Sequence, residues 1–212
     1  VTLNGGTATK VDILINKHKE SSVLIEDILS IQSKYELRSE FTKPIAYAIV
    51  EAIDTDILTE LKSGSTGTAQ GTFGVALVDA TVRNAMVVLD TNKAPRTDRT
   101  LAVDPYQHGE LLAIDKFVRY DALGTGKAIE NGKVGNIYGF EVVMSQNIPF
   151  VDTTTDEHTA VAFHKDAVGI AHQLKPRTQS QYKQEYLATL LTVDTVYGVK
   201  TLRPTFSVLV KS

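Results

Sequence analysis

Residues Thr42 to Leu61 read TKPIAYAIVEAIDTDILTEL. Ile45, Ala48, Ile49, Ala52, Ile53, Ile57, Leu58 and Leu61 recur at intervals of three and four, while Glu51, Asp54 and Glu60 fall off that stripe, which is the signature of an amphipathic helix. Pro44 suits a first helical turn. Ser33 with Glu36 three residues on could start the helix earlier, past a kink at the proline, and Gly64 ends it. A helix of this length is a rod about 30 Å long.

Upstream of the rod the pattern is extended. Val11, Ile13 and Ile15 alternate with Asp12, Leu14 and Asn16, and after the charged run Lys17 to Ser22 a second apolar stretch follows, Val23 to Ile25. This reads as two extended arms joined by a charged turn. An isolated hairpin with so little apolar surface is marginal in water, so it is expected to lie against something else, such as another subunit.

Downstream, Ser63 to Gly71 is small and polar and reads as a flexible linker and domain boundary. A second helix carries Val75, Val78, Val82, Ala85, Met86 and Leu89 on one face and stops before Pro95. Leu101 and Val103 form a short strand leading to Asp104 and Pro105, an N-cap and first-turn proline for a helix that runs to about Val118. Gly124 to Gly139 is a loop, and Phe140 to Met144 a strand ending in the turn Ser145, Gln146, Asn147. Phe163, Ala167, Ile170 and Leu174 suggest a short helix before Pro176, and Tyr182 to Val210, rich in Thr, Val, Leu and Tyr, predicts long strands broken at Pro204. Alternating helix and strand imply a compact mixed α+β domain.

Composition narrows the function. The 212 residues carry a net charge of −3, so no strong positive field draws in nucleic acid or acidic membranes, and a dedicated DNA reader is not expected. The absence of cysteine removes disulfides, thiolate zinc sites and cysteine nucleophiles, and fits a reducing compartment. The longest strictly apolar run, Ile45 to Val50, falls far short of the roughly 20 residues that span a bilayer, and no signal segment is visible, so no membrane contact is expected.

Catalytic and ligand patterns fail one by one. Of the five histidines, His18, His108, His158, His164 and His172, the last pair share the expected helix but stand eight residues apart, too far to hold one ion. Asp152, Asp156, Glu157 and His158 read as an acidic solvated loop, so no metal or other cofactor is expected. Gly124, Thr125, Gly126 and Lys127 suggest a phosphate loop, yet Asp121 stands where its leading glycine belongs and Ala128 where Ser or Thr would follow. No nucleophile elbow occurs. Asp54 and Asp56 point to different sides of the helix, Glu51 and Lys62 are ordinary face charges, and Lys93, Arg96 and Arg99 gather round a proline turn without interleaved aromatics. Catalysis has no support.

Three segments carry a resemblance. Leu89 to Pro95, then Arg99 to Pro105 with Leu111 and Leu112, is similar to the mid-chain signature of tailed-bacteriophage major capsid proteins, whose fold is shared with encapsulin shells and the herpesvirus capsid floor. Asn131 to Val142, followed by Ser145, Gln146, Asn147, Ile148 and Pro149, resembles their loop and strand closed by a small residue, Asn, apolar, Pro turn. Tyr197 to Lys200 with Arg203 and Pro204 resembles their closing strand. Together these cover most of Thr72 to Val210.

The resemblance implies a phage major capsid fold with an extended hairpin loop, a long spine helix, a peripheral domain and an axial domain. In this chain that means residues 1–33 for an N-terminal segment and the hairpin, 34–66 for the spine helix and peripheral region, 67–174 for the axial domain, and 175–212 for strands returning to the periphery. It implies a subunit that self-assembles as pentamers and hexamers into an icosahedral shell around double-stranded DNA, which it touches weakly and without sequence preference. Scaffolding, portal and decoration proteins are the implied partners, with assembly in the host cytoplasm and residence in the virion capsid. At most ten residues precede the hairpin, so a cleaved or disordered N-terminus is implied. Interface or structural roles fall to Lys17, Lys19, Arg99, Asp104, Pro105, Gly132, Gly135, Gly139, Arg203 and Pro204, with Arg99 and Arg203 as candidates to pair with acids across subunits. Lysine-to-asparagine crosslinking, known in some members, finds Lys17, Lys19 and Asn147 as residue types but no alignment. An encapsulin-like nanocompartment shell is the alternative, and a small α/β enzyme or ligand-binding domain using the Gly124 to Gly139 loop is a third reading.

Overall fold

The computed structural model describes residues 10–28, 37–118, 135–149 and 157–212. Helix α1, Leu37–Gly64, extends the expected rod by its N-terminal turns to 28 residues, about 42 Å at 1.5 Å per residue. Pro44 lies inside it rather than in its first turn. Ile45 and Ile49 on one stretch, then Leu58 and Leu61 further along, are its buried residues, so the apolar stripe is used against two different partners.

The first partner is a three-stranded antiparallel ribbon in the order β1-β8-β7, made of β1 (Lys17–Glu26), β7 (Val168–Lys183) and β8 (Ala188–Thr201). Ile45 and Ile49 pack on Leu191 and Val193 of the central strand, with Val23 and Ile53 beside them. The charged run expected as a turn is instead the first half of β1, in unbroken register with β8 from Lys17 opposite Tyr197 to Glu26 opposite Ala188. Its charges alternate with the pleat, so Lys17 and Lys19 take the half-buried side and His18 and Glu20 the exposed one, and no turn is needed to keep them wet. The true hairpin is β7 with β8.

The second partner is a six-stranded mixed sheet in the order β2-β9-β6-β3-β5-β4, formed by β2 (Gly67–Gln70), β3 (Arg99–Val103), β4 (Asn136–Ile137), β5 (Phe140–Met144), β6 (Thr159–His164) and β9 (Ser207–Lys211). Helices α2 (Asp79–Thr91), α3 (Pro105–Ala113) and α4 (Asp115–Val118) complete this half. Leu61, Val82, Leu89, Leu101, Leu111, Phe140, Val161 and Val208 are among the residues of the main core. Across the other side, Leu58 meets Ala102 and Ile148, with Phe163 against them. The rod α1 therefore bridges the ribbon and the sheet, one apolar stretch to each.

Several sequence expectations are corrected here. Ser63 to Gly71 is not a flexible linker, because β2 pairs parallel with β9. Its small residues serve close approach: a Cβ on Gly64 would lie 2.0 Å from Thr201 Oγ1, and one on Gly67 2.5 Å from the Ser207 carbonyl. Gly71 combines φ of +86° with a Cβ position 2.1 Å from the Lys211 carbonyl. Replacing it with alanine is expected to cost at least about 2 kcal/mol from backbone strain and a displaced strand, read as an earlier chemical-denaturation midpoint.

The helix expected over Phe163 to Leu174 is β6, a single 3₁₀ turn at Lys165–Ala167, and the start of β7. β6 lies between β3 and β9 and is buried on both faces, so it lacks the alternation that marks a half-buried strand, while Phe163, Ala167, Ile170 and Leu174 match a helical spacing only because they fall on three successive elements. Pro176 is accommodated on edge strand β7, between the register shifts that separate His172, Leu174 and Arg177. The second helix begins only at Asp79, leaving Val75 and Val78 exposed, and the third is interrupted at Ile114, whose backbone is extended. β7 runs in the ribbon from Val168, and β9 returns to the six-stranded sheet.

Candidate assembly surface

Where the rod crosses the ribbon, three donors converge on one carboxylate. Lys17 Nζ lies 2.8 Å and Lys19 Nζ 3.7 Å from Asp56, and the buried Tyr197 hydroxyl donates to it at 2.6 Å. Strand alternation delivers both lysines to the α1 side, and Tyr197 stands opposite Lys17. Burial alone would raise the Asp56 pKa, but hydrogen bonds from Lys17 and Tyr197 and the charges of Lys17 and Lys19 outweigh it and hold the carboxyl below 3.8. Burial and that carboxylate push the Tyr197 phenol up. A carboxylate with a depressed pKa in the folded state stabilises it above the unfolded pKa and ceases to as pH falls through the folded value. The rod-to-ribbon joint is therefore expected to weaken below about pH 4, seen as earlier loss of amide protection in β1 than in β3 on acidification.

The residues named for interface or structural roles have these partners within the chain. Arg99, buried, donates to Asp90 at 2.7 Å, to the Ala94 carbonyl at 2.8 Å and to the Pro95 carbonyl at 2.7 Å, so it closes the turn after α2. Burial opposes ionisation of Asp90, and hydrogen bonds from Arg99 and Arg96 overcome it, leaving its pKa lowered. Asp104 caps α3, accepting from the Gln107 amide at 2.7 Å, with Pro105 as the first helical residue. Its other oxygen pairs with His158, whose ring stacks on Tyr106. Pro204 opens the 3₁₀ turn before β9 and its carbonyl accepts from the Thr66 amide at 3.1 Å. Exposed Arg203 lies over the Phe206 ring at 5.1 Å.

Gly135 and Gly139 adopt left-handed φ of +70° and +84°, and Tyr138 before Gly139 stands at φ 50°, the two-residue turn that joins β4 to β5. Gly132, the Gly124 to Lys127 segment and Asp152 to Asp156 lie outside the described residues. Sequence reasoning overlooked Asp56, Asp90 and Tyr197 as joints: Asp56 and Tyr197 meet from distant parts of the chain, and Asp90 reaches Arg96 and Arg99 across the turn after α2, a spacing that matches neither a helical nor a strand period. It also overlooked the ribbon tip, Gln184–Tyr186 followed by Leu187, because no Gly, Pro, Asn or Asp marks that turn.

What remains on the surface is apolar and spread out. Tyr47 and Val50 on the outer side of α1, Val143 and Met144 on β5, and Tyr186 and Leu187 at the ribbon tip are all exposed. An open groove of about 300 Å³ between α1 and the sheet is lined by Ile57, Leu58, Val143, Met144 and Phe163, with Asp54 the one titratable side chain on its wall. Such a groove offers no convergent acid and base. Among the described residues no group of three or more His, Asp or Glu could hold a metal ion, and no helix is long and apolar enough to cross a membrane.

A family model described as phage capsid protein matches residues 20–210. The major capsid protein of Escherichia phage T7 is 28% identical over 163 residues, an alignment covering 64% of this chain and 46% of that protein, so the chain spans less than half the length of this curated relative. A solved structure from Mycobacterium phage Che8 superposes with a TM-score of 0.81 at 26% identity, covering 98% of this chain and 76% of its own. The capsid of cyanophage P-SCSP1u gives 0.75 at 20% identity, covering 99% and 79%. A virus-like particle from Pyrococcus furiosus gives 0.63 at 11%, covering 92% and 76%, which speaks to the fold alone.

Proposed function

Because this chain belongs to the phage capsid protein family, we propose that it is a structural subunit of an icosahedral shell, arranged as pentamers and hexamers around double-stranded DNA. The observation that carries this reading is the placement of α1. It joins a core-poor ribbon to a compact sheet and leaves Tyr47, Val50, Val143 and Met144 exposed along the way. A monomer gains nothing from that layout, whereas a thin, wide subunit that buries its remaining apolar surface against neighbours needs it.

In this reading the six-stranded sheet with α2 and α3 is the axial domain, and the ribbon with the N-terminal part of α1 the peripheral one. Lys17, Lys19, Arg99, Asp104, Pro105, Gly135, Gly139, Arg203 and Pro204 serve mainly to hold each subunit's shape, so that edge contacts meet at fixed angles. The protein resides in the virion capsid after assembly in the host cytoplasm, with scaffolding, portal and decoration proteins as partners, and it carries no catalytic role. A net charge of −3 suits a container that grips its DNA weakly.

Nuclease treatment of purified particles tests the content. DNA that survives digestion outside and is released by opening the particle supports the phage reading. Particles that hold a protein cargo and no DNA would replace it with a nanocompartment shell.

A further inference from the structure

At the far end of the ribbon, β7 stops at Lys183, a single 3₁₀ turn spans Gln184–Tyr186, and Leu187 leads into β8 with φ 46° and ψ 48°. Left-handed backbone crowds the Cβ of any L-residue other than glycine, and leucine lacks the short polar side chain that lets asparagine tolerate it. Glycine would make the same turn without strain. Yet Leu187 is 63% exposed, so the fold of the subunit does not use its side chain. Strain of this kind persists where the surroundings enforce it, and it gathers at functional positions.

The surroundings do enforce it. The Asp27 amide donates to the Leu187 carbonyl at 3.0 Å, and the Tyr182 hydroxyl donates to the Asp27 carboxylate at 2.8 Å. All three strands of the ribbon thus hold the turn in place. Around it Tyr186 is 64% exposed, Ile28 64% and Tyr182 47%. Four large apolar side chains at the end of a ribbon whose residues 175–182 are themselves exposed have no core to join.

We propose that Leu187, held in its strained conformation, forms with Tyr186, Tyr182 and Ile28 an apolar cap that buries against a second copy of this chain. The inference rests on the shell reading. At 150–250 Å² for a whole aromatic side chain, the cap offers on the order of 400 Å², about half of what one partner brings to a standard interface. It is too small to hold two free subunits or to anchor a separate soluble protein. It suffices where other edges of the same two copies already touch, as in a closed shell. Prior ordering of the tip by Asp27 lowers the entropy lost on docking.

The test is Leu187→Gly in the full-length protein, with assembly followed by light scattering and subunit stability by thermal melting. Glycine removes both the strain and the apolar side chain. The expected result is a melting temperature equal to or above wild type together with a roughly tenfold rise in the concentration needed for assembly. Tyr186→Ser, which leaves the turn residue itself untouched, is expected to shift assembly in the same direction. Assembly of both variants at the wild-type concentration would overturn the cap while wild-type shells in the same experiment kept the shell reading standing. A clear drop in melting temperature for Leu187→Gly would also overturn it, since the leucine would then serve the subunit's own fold. Absence of shells from the wild type would sink both.

Discussion

Replacing Arg99 with alanine is expected to lower the unfolding midpoint by about 10 °C, because the change removes about 3 kcal/mol and each kcal/mol is worth roughly 2–4 °C in a domain of this size. The guanidinium is 1% exposed and supplies donors to Asp90 and to the carbonyls of Ala94 and Pro95. Truncation leaves those three acceptors without their donor, and an unpaired buried group costs more than the pair gained. The loss stays at the lower end of the range because Asp90 is partly exposed and keeps Arg96 at 2.8 Å. Lysine at the same position retains the charge but cannot fork to three acceptors, so Arg99→Lys is expected to fall between wild type and alanine. An unchanged midpoint for Arg99→Ala would mean that the arginine is available to a neighbour after all.

The Asp56→Ala variant is expected to lose about 3 kcal/mol, and to misassemble more severely than its stability alone explains. Tyr197 is fully buried, and without Asp56 its hydroxyl faces no described acceptor while Lys17 and Lys19 lose their shared counter-ion. Asn in place of Asp keeps an oxygen for Tyr197 but gives up the charge, so Asp56→Asn should recover about half of the loss. The joint also sets the angle between α1 and the ribbon. A subunit free to vary that angle closes shells of mixed size, so the measurement is particle diameter by electron microscopy beside melting temperature. Uniform particles from Asp56→Ala would show that packing of Ile45 and Ile49 on Leu191 and Val193 sets the angle by itself.

These joints explain which parts of the architecture could be read in advance. The rod was legible because Ile45, Ile49, Leu58 and Leu61 obey a helical period over many turns, and the Asp104 and Pro105 start because capping chemistry is local. β6 was not legible, since a strand buried on both faces loses its alternation. The charged half of β1 was misread because its binding partner, Asp56, lies on another element, and charge alone does not distinguish a solvated turn from a strand edge that meets a helix. Small residues at Gly64, Gly67 and Gly71 suggest flexibility locally, yet serve close packing against Thr201, Ser207 and Lys211, contacts that only the tertiary fold creates. Of the candidate site, the residues that shape turns, Gly135, Gly139, Pro105 and Pro204, were visible by type. The carboxylates that anchor Arg99, Lys17 and Lys19 were not, because Asp56 lies on a different element from its lysines and Asp90 meets Arg99 across a turn rather than at a helical or strand spacing.

The account stands or falls on assembly of the full-length protein, followed by negative-stain electron microscopy together with light scattering. Closed shells, or the ring-shaped pentamers and hexamers that build them, are the predicted result. A monodisperse monomer at high concentration, with no particles even when it is produced alongside the products of its neighbouring genes, would contradict it.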